Sequence, residues 1–208
     1  MIDLVCLLAD KSIEAAIDAV LRRPEALGIR AISFETVVHP RRDPGCYHEA
    51  EELLGGFTAR ASHALVVLDR EWNGAPASTG SELEQRLEDS LRSLGPEDWA
   101  RAVVIDPELE VWVFSNSPHV AAELGWPTSM ADLRVILEQV GLWESGHSKP
   151  QDPKAAMDWA LRRAKRPRSS STFRALAAKV GFRRCQDRSF LRLVELLQGW
   201  FGSDSKDS

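Results

Sequence analysis

Two carboxylates follow the most apolar run of the chain. Residues 64–68 read Ala-Leu-Val-Val-Leu and lead directly into Asp69 and, two positions later, Glu71. A short apolar run of this kind predicts a buried strand of a parallel sheet. Residues two apart on an extended backbone point the same way, so Asp69 and Glu71 could together bind a hard cation such as Mg²⁺ or Mn²⁺. The alternative is a solvated turn after a core strand.

A second apolar run ends in the same way. Residues 102–105 read Ala-Val-Val-Ile, and Asp106, Glu108 and Glu110 follow them. Because ligand sites in open α/β sheets lie at the carboxyl ends of the strands, acids after neighbouring strands would meet at one edge. Asp10, in the turn after the first strand, could add a carboxylate there or simply cap the next helix. The expected metal ligands are therefore Asp69, Glu71, Asp10 and Glu108, with Glu110 as a further candidate.

The elements that would position these acids alternate along the chain. Apolar patterns predict strands at residues 2–8, 30–38 and 101–105, besides the strand that ends in Asp69. Helical spacing predicts helices at residues 11–23, 46–61 and 81–94, and residues 39–45 read as a turn-rich loop. This order predicts an α/β fold with a mainly parallel sheet flanked by helices. Only helices are expected further on, at residues 118–124, 129–140, 152–165, 172–181 and 188–200.

The charge is distributed unevenly. The net charge is −5, yet residues 149–192 contain thirteen Lys and Arg against three acids. We expect an α/β domain over residues 1–145, a basic helical C-terminal lobe over 146–202 and a flexible tail over 203–208. A basic block on an acidic body predicts a polyanionic partner, nucleic acid first. The alternative is that the basic segment packs against the acidic body.

Some basic residues are candidates for holding a phosphate backbone. Two lie in the loop after the second strand, and the rest lie in the basic segment. They are Arg41, Arg42, Lys149, Lys154, Arg162, Arg163, Lys165 and Arg166.

The cysteine content and hydropathy indicate a compartment. Three cysteines, Cys6, Cys46 and Cys185, lie far apart, which is typical of a reducing cytosol and predicts no disulfide framework. No apolar run approaches the roughly 18 residues that cross a bilayer, and no secretory signal is evident at the N-terminus. We expect a cytoplasmic protein without a membrane partner, and a homo-oligomer is possible.

Three motifs carry a resemblance to a known family. Residues 105–112 (Ile-Asp-Pro-Glu-Leu-Glu-Val-Trp), 149–154 (Lys-Pro-Gln-Asp-Pro-Lys) and 185–190 (Cys-Gln-Asp-Arg-Ser-Phe) occur in this order. With an acid after the first strand and Asp69-Arg-Glu71 after a later one, the chain resembles small bacterial TOPRIM-like proteins of the RloB and OLD type. The resemblance covers nearly the whole chain and implies a TOPRIM-like fold.

The resemblance also implies a function. Such proteins belong to bacterial anti-phage defence systems, including methylation-associated ones, so the chain is expected to be a divalent-metal-dependent nuclease that acts with other defence proteins. The motif positions make Asp10, Glu110 and Lys149 candidate catalytic residues. Each has a structural alternative: Asp10 as a helix cap, Glu110 as part of a packed turn, and Lys149 as a surface linker residue.

The chain departs from the family pattern at two positions. The Glu that usually follows the first strand falls on Ala9, or on Asp10 with a one-residue shift, and Glu71 replaces the second Asp of the later signature. These departures favour metal binding over turnover. A second hypothesis is therefore a catalytically degenerate recognition or assembly subunit of a multi-protein defence complex.

Overall fold

Four parallel strands form a single sheet in the order β2–β1–β3–β4. The computed structural model describes residues 1–182 and 185–202, so the tail predicted at 203–208 lies outside the described residues. The strands are β1 (Ile2–Leu8), β2 (Phe34–Val38), β3 (Ala61–Asp69) and β4 (Ala100–Ile105). The central strands β1 and β3 carry continuous, fully buried apolar runs, as strands covered on both faces require. The predicted parallel α/β architecture is confirmed.

The register brings the carboxyl ends of the strands together. Leu8 of β1 is paired with Val38 of β2 and with Val67 of β3, and Asp69 of β3 is paired with Ile105 of β4. The segments that follow these strands therefore leave the sheet at one edge. This edge is where sequence reasoning expects the site.

Ten α-helices accompany the sheet in the described part of the chain. Their bounds are α1 Lys11–Leu21, α2 Pro24–Leu27, α3 Arg42–His48, α4 Ala50–Leu54, α5 Gly80–Leu91, α6 His119–Glu123, α7 Met130–Gln139, α8 Pro153–Arg163, α9 Ser170–Lys179 and α10 Arg188–Phe201. Short 3₁₀ turns occur at Gly55–Phe57 and Leu109–Trp112. Most predicted helices agree with these bounds to within a few residues, and α2 was not predicted. The single helix predicted over residues 46–61 is wrong, because this stretch holds the end of α3, the separate helix α4, a 3₁₀ turn and the first residue of β3.

Two predicted elements near β2 differ from the structure. The strand expected over residues 30–38 begins only at Phe34, because the side chain of Asp3 accepts hydrogen bonds from the Ser33 backbone N–H (2.7 Å) and from Arg30 (2.5 Å). The predicted loop at residues 39–45 contains the start of α3. Pro44 does not prevent this helix, because it lies in the first turn, where no intrahelical N–H is needed.

The C-terminal helices complete the core that the sheet begins. Helix α9 packs along α1, and α10 contacts β4 and α2. Trp200 of α10 stacks on His63 of β3 with 4.7 Å between ring centroids, and Gln198 donates a hydrogen bond to the Leu27 carbonyl (2.7 Å). Residues after 146 therefore share one hydrophobic core with the sheet. Among the described helices, none is long and apolar enough to cross a membrane.

Side chains occupy the outer edge of β4. The backbone N–H of Ala102 donates a hydrogen bond to the Glu88 carboxylate of α5, and that of Val104 donates one to the Glu84 carboxylate. The donor–acceptor distance is 3.0 Å in both. Arg192 of α10 donates to the Ala102 carbonyl (2.9 Å) and pairs with both glutamates. Glu84 is 2% exposed. This network joins α5, β4 and α10 and satisfies the backbone groups that a neighbouring strand would otherwise engage.

Replacing Glu84 tests how much this network contributes. We expect Glu84→Ala to lower the free energy of unfolding by about 3 kcal/mol, because it leaves the Val104 N–H without its acceptor and removes the carboxylate that pairs with Arg188 and Arg192. Chemical denaturation followed by circular dichroism measures the change. Arg86→Ala, at an exposed position on the same helix, is the matched control and should alter stability little. Equal losses in the two variants would contradict this role for Glu84.

Candidate functional site

Acids from four segments converge at the carboxyl edge of the sheet. Asp69 is the last residue of β3 and Asp10 follows β1, while Glu108 and Glu110 follow β4. A fifth acid, Asp43, lies in the first turn of α3, after β2. We refer to Asp10, Asp43, Asp69, Glu108 and Glu110 as the carboxylate cluster.

Asp69 is a half-buried member of the carboxylate cluster with one fully buried carboxylate oxygen. Its backbone N–H donates to Asp43 Oδ1 over 2.9 Å, whereas its own Oδ1 is buried without a hydrogen-bond partner among the described residues. Burial raises the pKa of the Asp69 carboxyl well above its usual range, and the negative charge of Asp43 raises it further. Smaller contributions to the same pKa come, in this order, from Glu110, Asp10 and Glu108.

Asp43 is the functional candidate that the sequence prediction missed. Burial is the main cause that raises the pKa of its carboxyl, and the charge of Asp10 adds to this effect. A usable signal was present, because Asp43 follows β2 as the other acids follow their strands. The prediction assigned the surrounding residues to a basic loop and considered only Arg41 and Arg42 there.

The position of α3, and so of Asp43, depends on a contact between His39 and Gly45. His39 is 2% exposed, and its Nδ1 accepts a hydrogen bond from the Arg41 backbone N–H (3.0 Å). A Cβ atom on Gly45 would lie 2.0 Å from that same nitrogen. Only glycine lets the imidazole ring pack this closely against the helix.

The structure corrects the expectation that Glu71 points with Asp69. Strand β3 ends at Asp69, so the two-residue alternation does not continue. Glu71 is exposed and pairs with Arg70 (2.5 Å), which also pairs with Asp106 (2.6 Å). Glu71 therefore lies outside the carboxylate cluster.

Asp10 serves as a helix cap at the edge of the carboxylate cluster. Its Oδ1 accepts hydrogen bonds from the backbone N–H groups of Ser12 (2.7 Å) and Ile13 (2.9 Å). Both bonds fall on one oxygen. The capping role and a contribution to the cluster are therefore compatible.

Two cations from the C-terminal segment contact the glutamates of the cluster. Arg168 forms an ion pair with Glu110, which is 1% exposed, and Lys154 lies 2.5 Å from Glu108. Burial raises the pKa of the Glu110 carboxyl, and the charge of Arg168 opposes this rise. Lys154 was predicted as a nucleic-acid contact, whereas Arg168 was not predicted at all. Its partner is distant in sequence, and its loop has no periodic pattern.

Lys149, a candidate catalytic and nucleic-acid-binding residue, connects the three sequence motifs. Its Nζ donates to the Val111 carbonyl (2.8 Å) and lies 3.0 Å from Asp187. Trp112 donates from its indole N–H to Ser189 Oγ over 2.8 Å. The segments at 105–112, 149–154 and 185–190 are thus joined by direct contacts, and Lys149 has a structural role.

The other predicted nucleic-acid contacts form no ion pair with the carboxylate cluster among the described residues, although the charge of Arg42 opposes the rise in the pKa of the neighbouring Asp43 carboxyl. Four are exposed at the end of α8 and just after it: Arg162, Arg163, Lys165 and Arg166. Arg41 pairs with Glu49, and Arg42 is exposed with a φ of 53°. Other bases of the C-terminal segment form ion pairs with the acidic body, as the alternative interpretation expected. Examples are Arg174–Asp18, Lys179–Glu123 and Arg188–Glu84.

The carboxylate cluster fits a cation in part. Within residues 1–182 and 185–202, no three Asp, Glu, His or Cys side chains stand in an arrangement ready to hold a metal ion. The buried Oδ1 of Asp69 has no hydrogen-bond partner among the described residues. Side-chain rotations of the neighbouring acids would have to complete a coordination shell.

No protein-family model, curated protein or solved structure matches this chain. The functional argument therefore starts from the carboxylate cluster.

Substituting Gly45 tests how Asp43 is positioned. We expect Gly45→Ala to destabilise the fold by about 1–3 kcal/mol, because the buried ring of His39 cannot move aside without shifting α3. Thermal unfolding measures the loss. Gly56→Ala is the control, because a Cβ there meets open space. If both variants unfolded at the same temperature as the wild type, the contact between His39 and Gly45 would not contribute to stability.

Replacing Asp69 tests whether its ionisable carboxyl group makes the stability of the fold depend on pH. Because the folded chain keeps a proton on this group at pH values where the unfolded chain has released it, stability falls as pH rises from about 4. Asp69→Asn removes this penalty. We expect the variant to unfold at a higher temperature than the wild type at pH 7 without divalent cations, and the difference to narrow towards pH 4. Glu71→Gln is the exposed control, and a less stable Asp69→Asn variant at pH 7 would contradict the interpretation.

Proposed function

We propose that the carboxylate cluster binds Mg²⁺ or Mn²⁺ and that the protein cleaves phosphodiester bonds of nucleic acid. The observation that carries this proposal is Asp69, a buried carboxyl group with an unpaired oxygen, surrounded by four other acids. Carboxylate oxygens are the ligands that these hard cations prefer. Bound metal would offset the burial and the charge repulsion that together raise the Asp69 pKa.

Three aspartates are the proposed ligands. Asp10, Asp43 and Asp69 come from the carboxyl ends of the three adjacent strands β1, β2 and β3. A divalent cation bound there supplies Lewis acidity toward a phosphate and lowers the pKa of a bound water. The protein's own part is to hold the ligands and to neutralise the phosphate. Arg168 and Lys154 lie beside the same cluster and carry charge suited to that task.

The nucleic-acid substrate is proposed from the exposed basic residues of α8. Asp158 lies 3.7 Å from Arg168, so this face of α8 is turned towards the carboxylate cluster. Arg162 follows Asp158 by four residues and lies on the same face of the helix. A strand whose scissile phosphate reached the cluster could therefore continue along the basic end of α8. Binding through such contacts is expected to weaken strongly with added salt.

The biological setting is proposed from the sequence motifs. Their resemblance to small TOPRIM-like proteins supports a role in a bacterial anti-phage defence system, with other defence proteins as partners. A cytoplasmic location and a homo-oligomeric state belong to the same proposal.

A second candidate function is recognition or assembly without turnover. It is favoured because two of the predicted catalytic side chains already form contacts within the protein. Lys149 is engaged by Val111 and Asp187, and Glu110 by Arg168. In this alternative the TOPRIM-like scaffold binds nucleic acid or a partner protein and transmits a signal to a separate effector.

A nuclease assay tests the proposed function. Single- and double-stranded DNA and RNA are incubated with the purified protein and Mg²⁺ or Mn²⁺. We expect metal-dependent cleavage that falls by about 100-fold or more in Asp69→Asn and Asp43→Asn, because charge stabilisation of the transition state is lost. Glu71→Gln is the matched control at a nearby acid outside the cluster and should retain activity.

The outcomes separate the two candidates. Nucleic-acid binding without cleavage, unchanged in Asp69→Asn, would support the recognition subunit. Activity that survives in Asp69→Asn but disappears in Glu71→Gln would show that cleavage depends on Glu71 and not on Asp69. That result would overturn the proposal.

A further inference from the structure

We infer that two stacked tryptophans and the basic end of α8 form a binding surface for single-stranded nucleic acid. We call Trp126, Trp159, Arg162, Arg163 and Arg166 the aromatic–basic surface. The inference rests on the proposed function for its class of partner, nucleic acid, and narrows that partner to strands with unpaired bases. Binding at this surface requires no metal ion, because stacking and charge are its two interactions.

The two tryptophans form a stacked pair that is open to solvent on part of its surface. Trp159 lies on α8 and Trp126 follows α6, with 5.9 Å between ring centroids and 18° between ring planes. The indole N–H of Trp126 donates a hydrogen bond to the Ala160 carbonyl over 3.1 Å, which fixes this ring against α8. Both side chains are only half-buried. The fold therefore holds a broad aromatic surface in one orientation.

Two arginines of α8 lie beside the ring of Trp159. Arg162 and Arg163 follow Trp159 by three and four residues, so they share its side of the helix. Both are exposed. Their guanidinium groups can therefore contact the phosphates of a strand whose base stacks on the ring.

A third arginine lies beside the other tryptophan. The Arg166 Nη1 donates a hydrogen bond to the Glu123 carbonyl over 3.0 Å. Its side chain passes so close to Gly125, the residue before Trp126, that a Cβ atom there would collide with it. Cations thus border the stacked pair at both of its rings.

These cations differ from their neighbours in lacking acidic partners. Residues 162–168 contain five Lys and Arg and no acid, in a chain of net charge −5. Among the described residues, no ion pair engages Arg162, Arg163, Lys165 or Arg166. Other bases of the C-terminal segment each pair with an acid: Arg168, Arg174, Lys179, Arg188 and Arg192. The aromatic–basic surface is therefore a local positive region, which attracts a polyanion.

The combination of rings and cations favours a single strand over a duplex. Phosphate contacts alone bind both forms, because both carry the same backbone charge. Base faces in a duplex are covered by the neighbouring base pairs, whereas unpaired bases can stack on aromatic side chains. Such stacking tolerates any base and either sugar, so the surface is expected to accept DNA and RNA strands.

The aromatic–basic surface also borders the carboxylate cluster. Asp158, the residue before Trp159, lies 3.7 Å from Arg168, and Arg168 pairs with Glu110. A strand stacked on the tryptophans could therefore continue towards the cluster.

Fluorescence anisotropy tests the inference. A labelled DNA oligonucleotide, single-stranded or annealed to its complement, is titrated with the protein in EDTA, so that no metal-dependent cleavage occurs. An RNA strand of the same sequence is measured alongside. We expect the single strands to bind about tenfold or more tightly than the duplex, because only they add stacking to the charge interaction.

Variants separate stacking from charge. Trp159→Leu is expected to weaken single-strand binding by about tenfold and duplex binding by less than about twofold, because it removes a ring and no charge. Arg162→Gln/Arg163→Gln should weaken both and lower the salt dependence of binding. Trp200→Leu is the matched control, because Trp200 is a half-buried tryptophan stacked on His63, and it should bind like the wild type. Circular dichroism checks that each variant folds.

Each outcome bears on a defined claim. Equal affinity of the wild type for single strand and duplex would overturn the inference, as would unchanged single-strand affinity in a folded Trp159→Leu variant. Metal-dependent cleavage would then still support the proposed function. Single-strand binding that depends on Trp159, without cleavage in Mg²⁺ or Mn²⁺, would support the inference and overturn the nuclease. Neither binding nor cleavage of any strand would overturn both.

A second variant keeps the test decisive if Trp159→Leu does not fold. Trp159→Phe retains an aromatic ring and should retain most of the single-strand affinity. Because a base stacked on an indole quenches its fluorescence, the bound strand should quench tryptophan emission less in this variant than in the wild type. Equal quenching in the two proteins would overturn the inference.

Discussion

A buried carboxyl group at the end of a central strand is the constraint around which this edge of the molecule is arranged. Removing an ionised carboxylate from water costs several kcal/mol unless a positive partner or a set of donors replaces the water. Asp69 is enclosed by its position after the buried run of β3, and its nearest neighbour, Asp43, is another acid. The fold thus places a carboxyl group that is costly to ionise beside another acid, above the apolar core of the sheet.

The rest of the structure holds that arrangement in place. Parallel pairing sets the ends of the strands at one edge, and the buried His39 fixes the helix that carries Asp43. Lys149 connects the turn after β4 to the start of α10. The segments that resemble a defence family by sequence are therefore contiguous in space. Each of the three segments contributes to one structural unit in which Lys149 and Trp112 contact the other segments directly.

Sequence reasoning reached the parts of the fold that depend on local pattern. The strands β1, β3 and β4 follow from continuous apolar runs, and the alternation with helices identifies the parallel sheet. Asp69 and Asp10 could be predicted because they directly follow such runs. Asp43 was missed although it follows a strand in the same way, because Pro44 and Gly45 read as a loop while they are part of helix α3 in the structure. Arg168 was beyond reach for a different reason, since its partner Glu110 is distant in the chain and only the tertiary fold joins them.

The side chains on the outer edge of β4 limit how this protein can assemble. Glu84, Glu88 and Arg192 already occupy outward-facing backbone groups of that strand, so another chain cannot extend the sheet there without displacing them. An exposed edge is also the usual starting point for aggregation, and charged groups placed across it oppose such growth. A homo-oligomer built by continuing the sheet would have to begin at β2, the opposite end of the strand order. The outer edge of β4 is therefore closed to pairing with another strand, and the edge at β2 is the one at which a strand of another chain would pair.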